Sequence, residues 1–113
     1  MSSSNPLEEA VMYDIKNLAR LKNLEAHAPE ATQAFWAFDK AAWAEGAIPK
    51  KYKELMAIAV ALTIQCPYCI ELHVDRARGS GASDPEIAEA VLAAAALRAG
   101  GAMTHGTHAM KGT

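Results

Sequence analysis

The sequence predicts an all-α chain, an oligomeric bundle of about five to six helices forming a single domain over residues 1–113. Three observations lead to that class. Alanine, the best helix former, supplies 25 of the 113 residues. Apolar residues recur at spacings of three and four, punctuated by proline and glycine. No stretch alternates strictly between apolar and polar residues, so no strand is predicted.

After a start expected to be disordered, Met1 to Ser4, the first helix spans about Pro6 to Glu25. Leu7, Val11, Ile15, Leu18 and Leu21 share its apolar face. Pro29 opens a second helix that Gly46 ends, with Phe35, Trp36, Phe38 and Trp43 as core and subunit contacts. Pro49 introduces the third, about Lys51 to Gln65, where Leu55, Ile58, Ala59 and Leu62 leave almost no polar side; such a helix is expected to be buried, either in the core or against another subunit. Lys50, Lys51 and Lys53 read as its solvated start. The fourth helix takes Cys66 as N-cap and Pro67 as first residue, because the amide that proline lacks would be unpaired there anyway. It ends near Gly79. Ser83-Asp84-Pro85-Glu86 starts the fifth in the same way, and Ile87, Val91, Leu92 and alanines 93–96 follow. Gly100-Gly101 is predicted to break or kink it. The tail from Thr104 is mixed. Alanine-rich helices offer little apolar area each, which favours assembly of several copies.

The net charge of −2, without a local Lys/Arg cluster, excludes a nucleic-acid footprint. No basic segment followed by an apolar run opens the chain, so no secretory signal is expected. The longest apolar run, Met56 to Ile64, is too short for a bilayer, and no membrane partner is expected. A cytoplasmic setting follows, in which a pair of nearby cysteines is reduced and reactive rather than a permanent staple.

That pair is the chemical centre of the chain: Cys66-Pro67-Tyr68-Cys69-Ile70-Glu71-Leu72-His73. Unpaired amides and the positive end of a helix dipole surround both sulfurs and favour thiolate. His73 follows Cys69 by four residues and Cys66 by seven, placing all three on one helical face. Its imidazole can take a thiol proton or, protonated, stabilise a thiolate. Redox chemistry is favoured over two other readings: a zinc or trivalent-arsenic site made by Cys66, Cys69 and His73, and a non-catalytic assembly protein with inert thiols. Closed zinc sites usually need four ligands, and there is no third cysteine. No cofactor is implied.

A tight antiparallel hairpin of the third and fourth helices would bring Glu54 opposite His73 to Ala77. There it could orient the imidazole, or it could simply be an acid near a helix start. Tyr68 could donate its hydroxyl to a substrate or pack as an aromatic. Glu71 points off the Cys69–His73 face. His105 and His108 could form a small metal or anion site, or belong to a polar tail. Gly79 and Gly81 follow no strand and make no dinucleotide fingerprint.

These residues carry a resemblance. Glu54, eleven intervening residues and then Cys66-x-x-Cys69-x-x-x-His73 resemble the pattern of the carboxymuconolactone decarboxylase / alkylhydroperoxidase D-like family, in its thiol-bearing branch. The motif core spans about 51–105, and Ala28 to Leu55 resembles the family's lead-in helices. The whole chain is most similar to a peroxidase-like subgroup named for its association with arsenosugar biosynthesis genes. The resemblance implies the all-helical fold of that family, assembled as homotrimers or homohexamers with sites near subunit contacts. It implies reduction of a peroxide or disulfide substrate by the cysteine pair, a Glu54–His73 proton relay, and re-reduction by a dithiol protein or small thiol. One departure matters: Tyr68 stands where the alkylhydroperoxidase D type has a further histidine. Lactone decarboxylation is not implied, because the namesake decarboxylases lack the cysteines. The mechanism expected is attack by Cys69, the thiol one turn from His73, with Cys66 closing the disulfide; position at the helix tip argues for the reverse order.

Overall fold

In the computed structural model, described for residues 13–112, the chain divides into two compact units that meet in sequence between Ala42 and Trp43. The expected disordered start and the first part of the first helix, with Leu7 and Val11, lie outside the described residues. All regular structure described is helical, in five α-helices and two short 3-10 turns.

In the first unit, the expected continuous helix through residue 25 does not form. Asp14 is extended, and its carboxylate accepts from the amide of Lys16 at 2.9 Å. Asp14 is thereby the N-cap of a 3-10 turn, Ile15–Arg20, which starts helical structure at Ile15 and precedes α1, Leu21–His27. Helix α2, Pro29–Trp43, opens on its proline as expected but stops short of Gly46. Three of its four aromatic residues, expected as core and subunit contacts, are not core within one chain. Phe35, Trp36 and Phe38 are all exposed in the single chain, and Phe35 and Trp36 meet edge to face with centroids 5.1 Å apart.

The second unit is built on α3, Lys50–Ile64, which packs against both α4, Pro67–Gly79, and α5, Asp84–His105. Ile58, Ala77 and Ala82 form its buried centre, flanked by Leu55, Leu62, Val74 and Ile87. Burial of α3 is one-sided. Glu54, Ala57, Ile58 and Ala61 are covered, whereas Met56, Val60 and Ile64 are exposed. The expectation of a helix buried all round therefore does not hold within one chain.

The hairpin between α3 and α4 turns on Gln65, which is left-handed at φ 56°, ψ 51° and donates its amide to Ala61 O. Cys66 N also donates to Ala61 O, at 3.1 Å, so two amides close on one carbonyl and the reversal is completed within two residues. A side chain with a Cβ pays steric strain in this region that glycine avoids. Gln65→Gly is expected to hold or slightly raise stability. Gln65→Val is expected to lower it by about 1–2 kcal/mol, as read from urea unfolding of the two variants.

Between α4 and α5, Gly81 is left-handed (φ 91°) and Ala82 N returns to Ala77 O at 2.9 Å. Helix α5 then starts on a capping box: Ser83 N donates to Glu86 Oε1 at 2.8 Å, and Glu86 N donates to Ser83 Oγ at 3.2 Å. The same Glu86 reaches Lys51 Nζ at 3.0 Å, joining the start of α5 to the start of α3. The Ser83 amide, followed by Lys51, holds the Glu86 carboxyl below its ordinary value. Contrary to the predicted break, α5 runs through Gly100 and Gly101 without interruption. Two glycines in a long helix cost about 1 kcal/mol each relative to alanine; here the surrounding turns are tied down by Arg98 to Thr63 O and by Thr104 Oγ1 to Gly101 O at 3.2 Å. Among the described residues, the stretch Asp84–His108 is long and apolar enough, by length and composition alone, to cross a bilayer. A search for an unbroken apolar run does not find it, because small and polar residues interrupt the alanines.

Candidate active site

The start of α4 places the sulfurs. Cys66 is the extended N-cap, and its Sγ accepts from Cys69 N at 3.3 Å. The cysteine thus does for the helix what serine or aspartate usually does. Neither cysteine is in a disulfide, and their Sγ atoms are 2.6 Å apart. The Cys66 thiol is held below its ordinary value, chiefly because the Cys69 thiol donates to it. Burial opposes this, and the amides of Cys69 and Tyr68 each add a smaller lowering contribution. Alkylation of Cys66 by iodoacetamide is therefore expected to reach half its maximal rate below the pH of an ordinary cysteine, about 8.5. In Cys69→Ala, with the main donor gone, that midpoint moves upward; mass spectrometry of the quenched peptide gives both profiles.

One turn further on, His73 is buried, and Nδ1 lies 2.6 Å from Glu54 Oε1. Glu54 has no exposed surface at all. The hairpin arithmetic that set Glu54 opposite His73 is matched by the contact, and a carboxylate on Nδ1 leaves Nε2 as the ring atom that can exchange a proton. The other carboxylate oxygen, Oε2, accepts from Lys50 Nζ at 3.2 Å. Among the described residues no buried side-chain nitrogen or oxygen lacks a partner.

Trp43 covers the imidazole, with ring centroids 4.9 Å apart. Both rings, with Ala57, Val60, Ile64 and Cys69, line a largely apolar pocket of about 150 Å³. Cys69 and His73 thus open onto one cavity. Tyr68 is not part of its lining; its backbone amide instead serves the Cys66 sulfur. The hydroxyl role considered for Tyr68 gains no pocket contact. Glu71 is exposed.

His105 and His108 stand with ring centroids 5.8 Å apart, both exposed, and His105 Nδ1 bonds to Gly101 O at 3.0 Å. Among the described residues no group of three or more His, Cys, Asp or Glu side chains is disposed to hold a metal ion.

Two members of the site escape the sequence. Lys50 reads there as a solvated lysine, though its spacing of four from Glu54 was a usable signal. Trp43 reads as core or contact; its place over His73 depends on the path of residues 44–49, for which no pattern in the sequence speaks.

Comparison with known proteins adds the following. Residues 29–112 match the carboxymuconolactone decarboxylase family. An uncharacterized protein of the cox locus of Paracoccus denitrificans is 48% identical over 77 residues, 68% of this chain and 69% of that protein. An alkyl hydroperoxide reductase of Mycobacterium tuberculosis is 36% identical over 67 residues, which are 59% of this chain but only 19% of the relative. A crystal structure of a protein from Methanobacterium thermoautotrophicum superposes with a TM-score of 0.73 at 30% identity, covering 78% of this chain and 99% of that one.

Proposed function

Because the chain belongs to the carboxymuconolactone decarboxylase family, we propose that it is a thiol-dependent peroxidase and disulfide oxidoreductase working through Cys66 and Cys69. One observation carries the reading: two unbonded thiols 2.6 Å apart at a helix tip, beside a buried imidazole held at 2.6 Å by a carboxylate. The relative named as an alkyl hydroperoxide reductase supports it, and the apolar lining of the pocket suits an organic hydroperoxide.

Cys69, in the pocket with His73, gives its proton to the imidazole and attacks the distal peroxide oxygen. The O–O bond breaks, the alcohol or water leaves with a proton returned from the relay, and Cys69 becomes a sulfenic acid. Cys66 attacks that sulfur, its thiol proton leaving with the sulfenic oxygen as water, and the disulfide forms. Two electrons and two protons from a dithiol protein or small dithiol then restore both thiols by exchange. Glu54 stabilises the imidazolium formed in the first step.

The exposed face of Met56, Val60 and Ile64, two of which border the pocket, suits burial against further copies in a homotrimer or homohexamer. A cytoplasmic setting, where thiols stay reduced, completes the reading. The test is a thiol titration. Dilute cumene hydroperoxide should consume two thiols per chain within seconds and dihydrolipoate should restore them, whereas thiols that persist for hours would refute the proposal.

A further inference from the structure

Lysine at the start of a helix is locally unfavourable, since the dipole presents positive charge there. Helix α3 nevertheless opens with three lysines and has no acid in its first turn. Lys51 and Lys53 find partners in Glu86 and in the carbonyl of Ala44. Lys50 instead reaches four residues along to Glu54, an order of charges that is also the weaker one for a helical pair. A sequence that breaks two local preferences at one position, and points the result at a fully buried carboxylate, invites a functional account.

We propose that Lys50 is a positioning residue of the site: it holds Glu54 Oε2 so that Oε1 faces His73, and it sets the pH at which His73 becomes a usable base. The carboxylate is shared. Oε2 meets Lys50 Nζ at 3.2 Å while Oε1 meets His73 Nδ1 at 2.6 Å. Part of the negative charge of Glu54 is thereby spent on the ammonium, and less remains to retain a proton on the imidazole. Without the ammonium, the whole carboxylate acts on His73, the imidazolium is held more strongly, and the neutral base appears only at higher pH. The other ionisable groups do not replace Lys50. From α4, the groups near His73 are the thiols of Cys66 and Cys69. On α5, Glu86 is engaged by Lys51 and Ser83, Asp84 by Arg78 at 2.5 Å, and Arg98 by Thr63 O. In the segment before α3, Glu45 accepts from the Lys50 backbone amide at 3.3 Å, and neutral Trp43 covers the imidazole. Lys50, with nearly half its side chain exposed (46%), is the solvent-facing end of this chain of contacts.

This inference rests on the proposed Glu54–His73 relay, so two readouts are needed. The first is the rate of thiol loss to cumene hydroperoxide against pH. The second is independent of activity: in a Trp36→Phe background, emission from Trp43 is quenched by the imidazolium beneath it and brightens as His73 loses its proton. Lys50→Met is expected to move both midpoints up by about half to one pH unit. Lys50→Arg is expected to leave both midpoints in place. Unmoved midpoints in Lys50→Met would overturn the proposal even if the rate fell. Lys50→Gln carries the same test should the Met variant not fold; failure of both to fold would assign Lys50 to stability alone and overturn it too. If the emission midpoint shifts while Glu54→Gln reacts as fast as the parent, the relay falls and the positioning role of Lys50 stands.

Discussion

Serine in place of either Cys66 or Cys69 is expected to lower dithiol-supported peroxide turnover by at least about a thousandfold, with the helical spectrum unchanged. The fold should tolerate both changes for a structural reason. Cys66 is an N-cap whose side chain accepts an amide, a position serine fills well. Cys69, in the first turn of α4, is only partly buried and contributes little to the packed centre of its unit. The loss is therefore chemical: one remaining thiol can be oxidised to a sulfenic acid but has no neighbour to close on. The two variants also separate the roles. Trapping with dimedone should label Cys69 in Cys66→Ser. A label in Cys69→Ser alone would reverse the order of attack while preserving the pair. Turnover that survives both substitutions would remove the thiols from the mechanism altogether.

Glu54 is expected to give the second large effect, and to give it in two forms. Glu54→Gln keeps the size and a hydrogen bond to His73 but removes the negative charge that stabilises an imidazolium. Thiol oxidation at neutral pH should slow by about a hundredfold, the lower end for loss of general acid–base assistance. Glu54→Ala also removes a fully buried acid, leaving His73 buried without its carboxylate. Breaking a buried pair from one side costs about 3–5 kcal/mol, so this variant should unfold at distinctly lower urea concentration than Glu54→Gln. Equal midpoints for the parent and Glu54→Ala would show that the carboxylate is not holding the structure together.

The parts of this chain legible from sequence are those fixed by short-range rules. Pro67 after Cys66, and Pro85 within Ser83-Asp84-Pro85-Glu86, mark helix starts that the structure reproduces. The Glu54–His73 contact was also within reach, because a two-residue reversal between straight helices converts sequence distance into spatial register. The failures have physical causes of their own. Asp14, extended and accepting from the Lys16 amide, caps a helical start at Ile15, which apolar spacing does not register. Gly100 and Gly101 stay helical because neighbours outweigh their local preference. Exposure of Phe35, Phe38, Met56 and Ile64 defeats the inference from apolar residue to interior, since that inference concerns what covers a residue and not which chain supplies the cover.

The spacing of the two sulfurs has a last consequence. A bond between Cys66 and Cys69 would close a ring within a single turn of one helix. A crosslink stabilises chiefly by taking disorder away from the unfolded chain, and a loop this small has little disorder to lose. Oxidation and reduction can alternate at the tip of α4 while the rest of the protein is left almost indifferent to which state it is in.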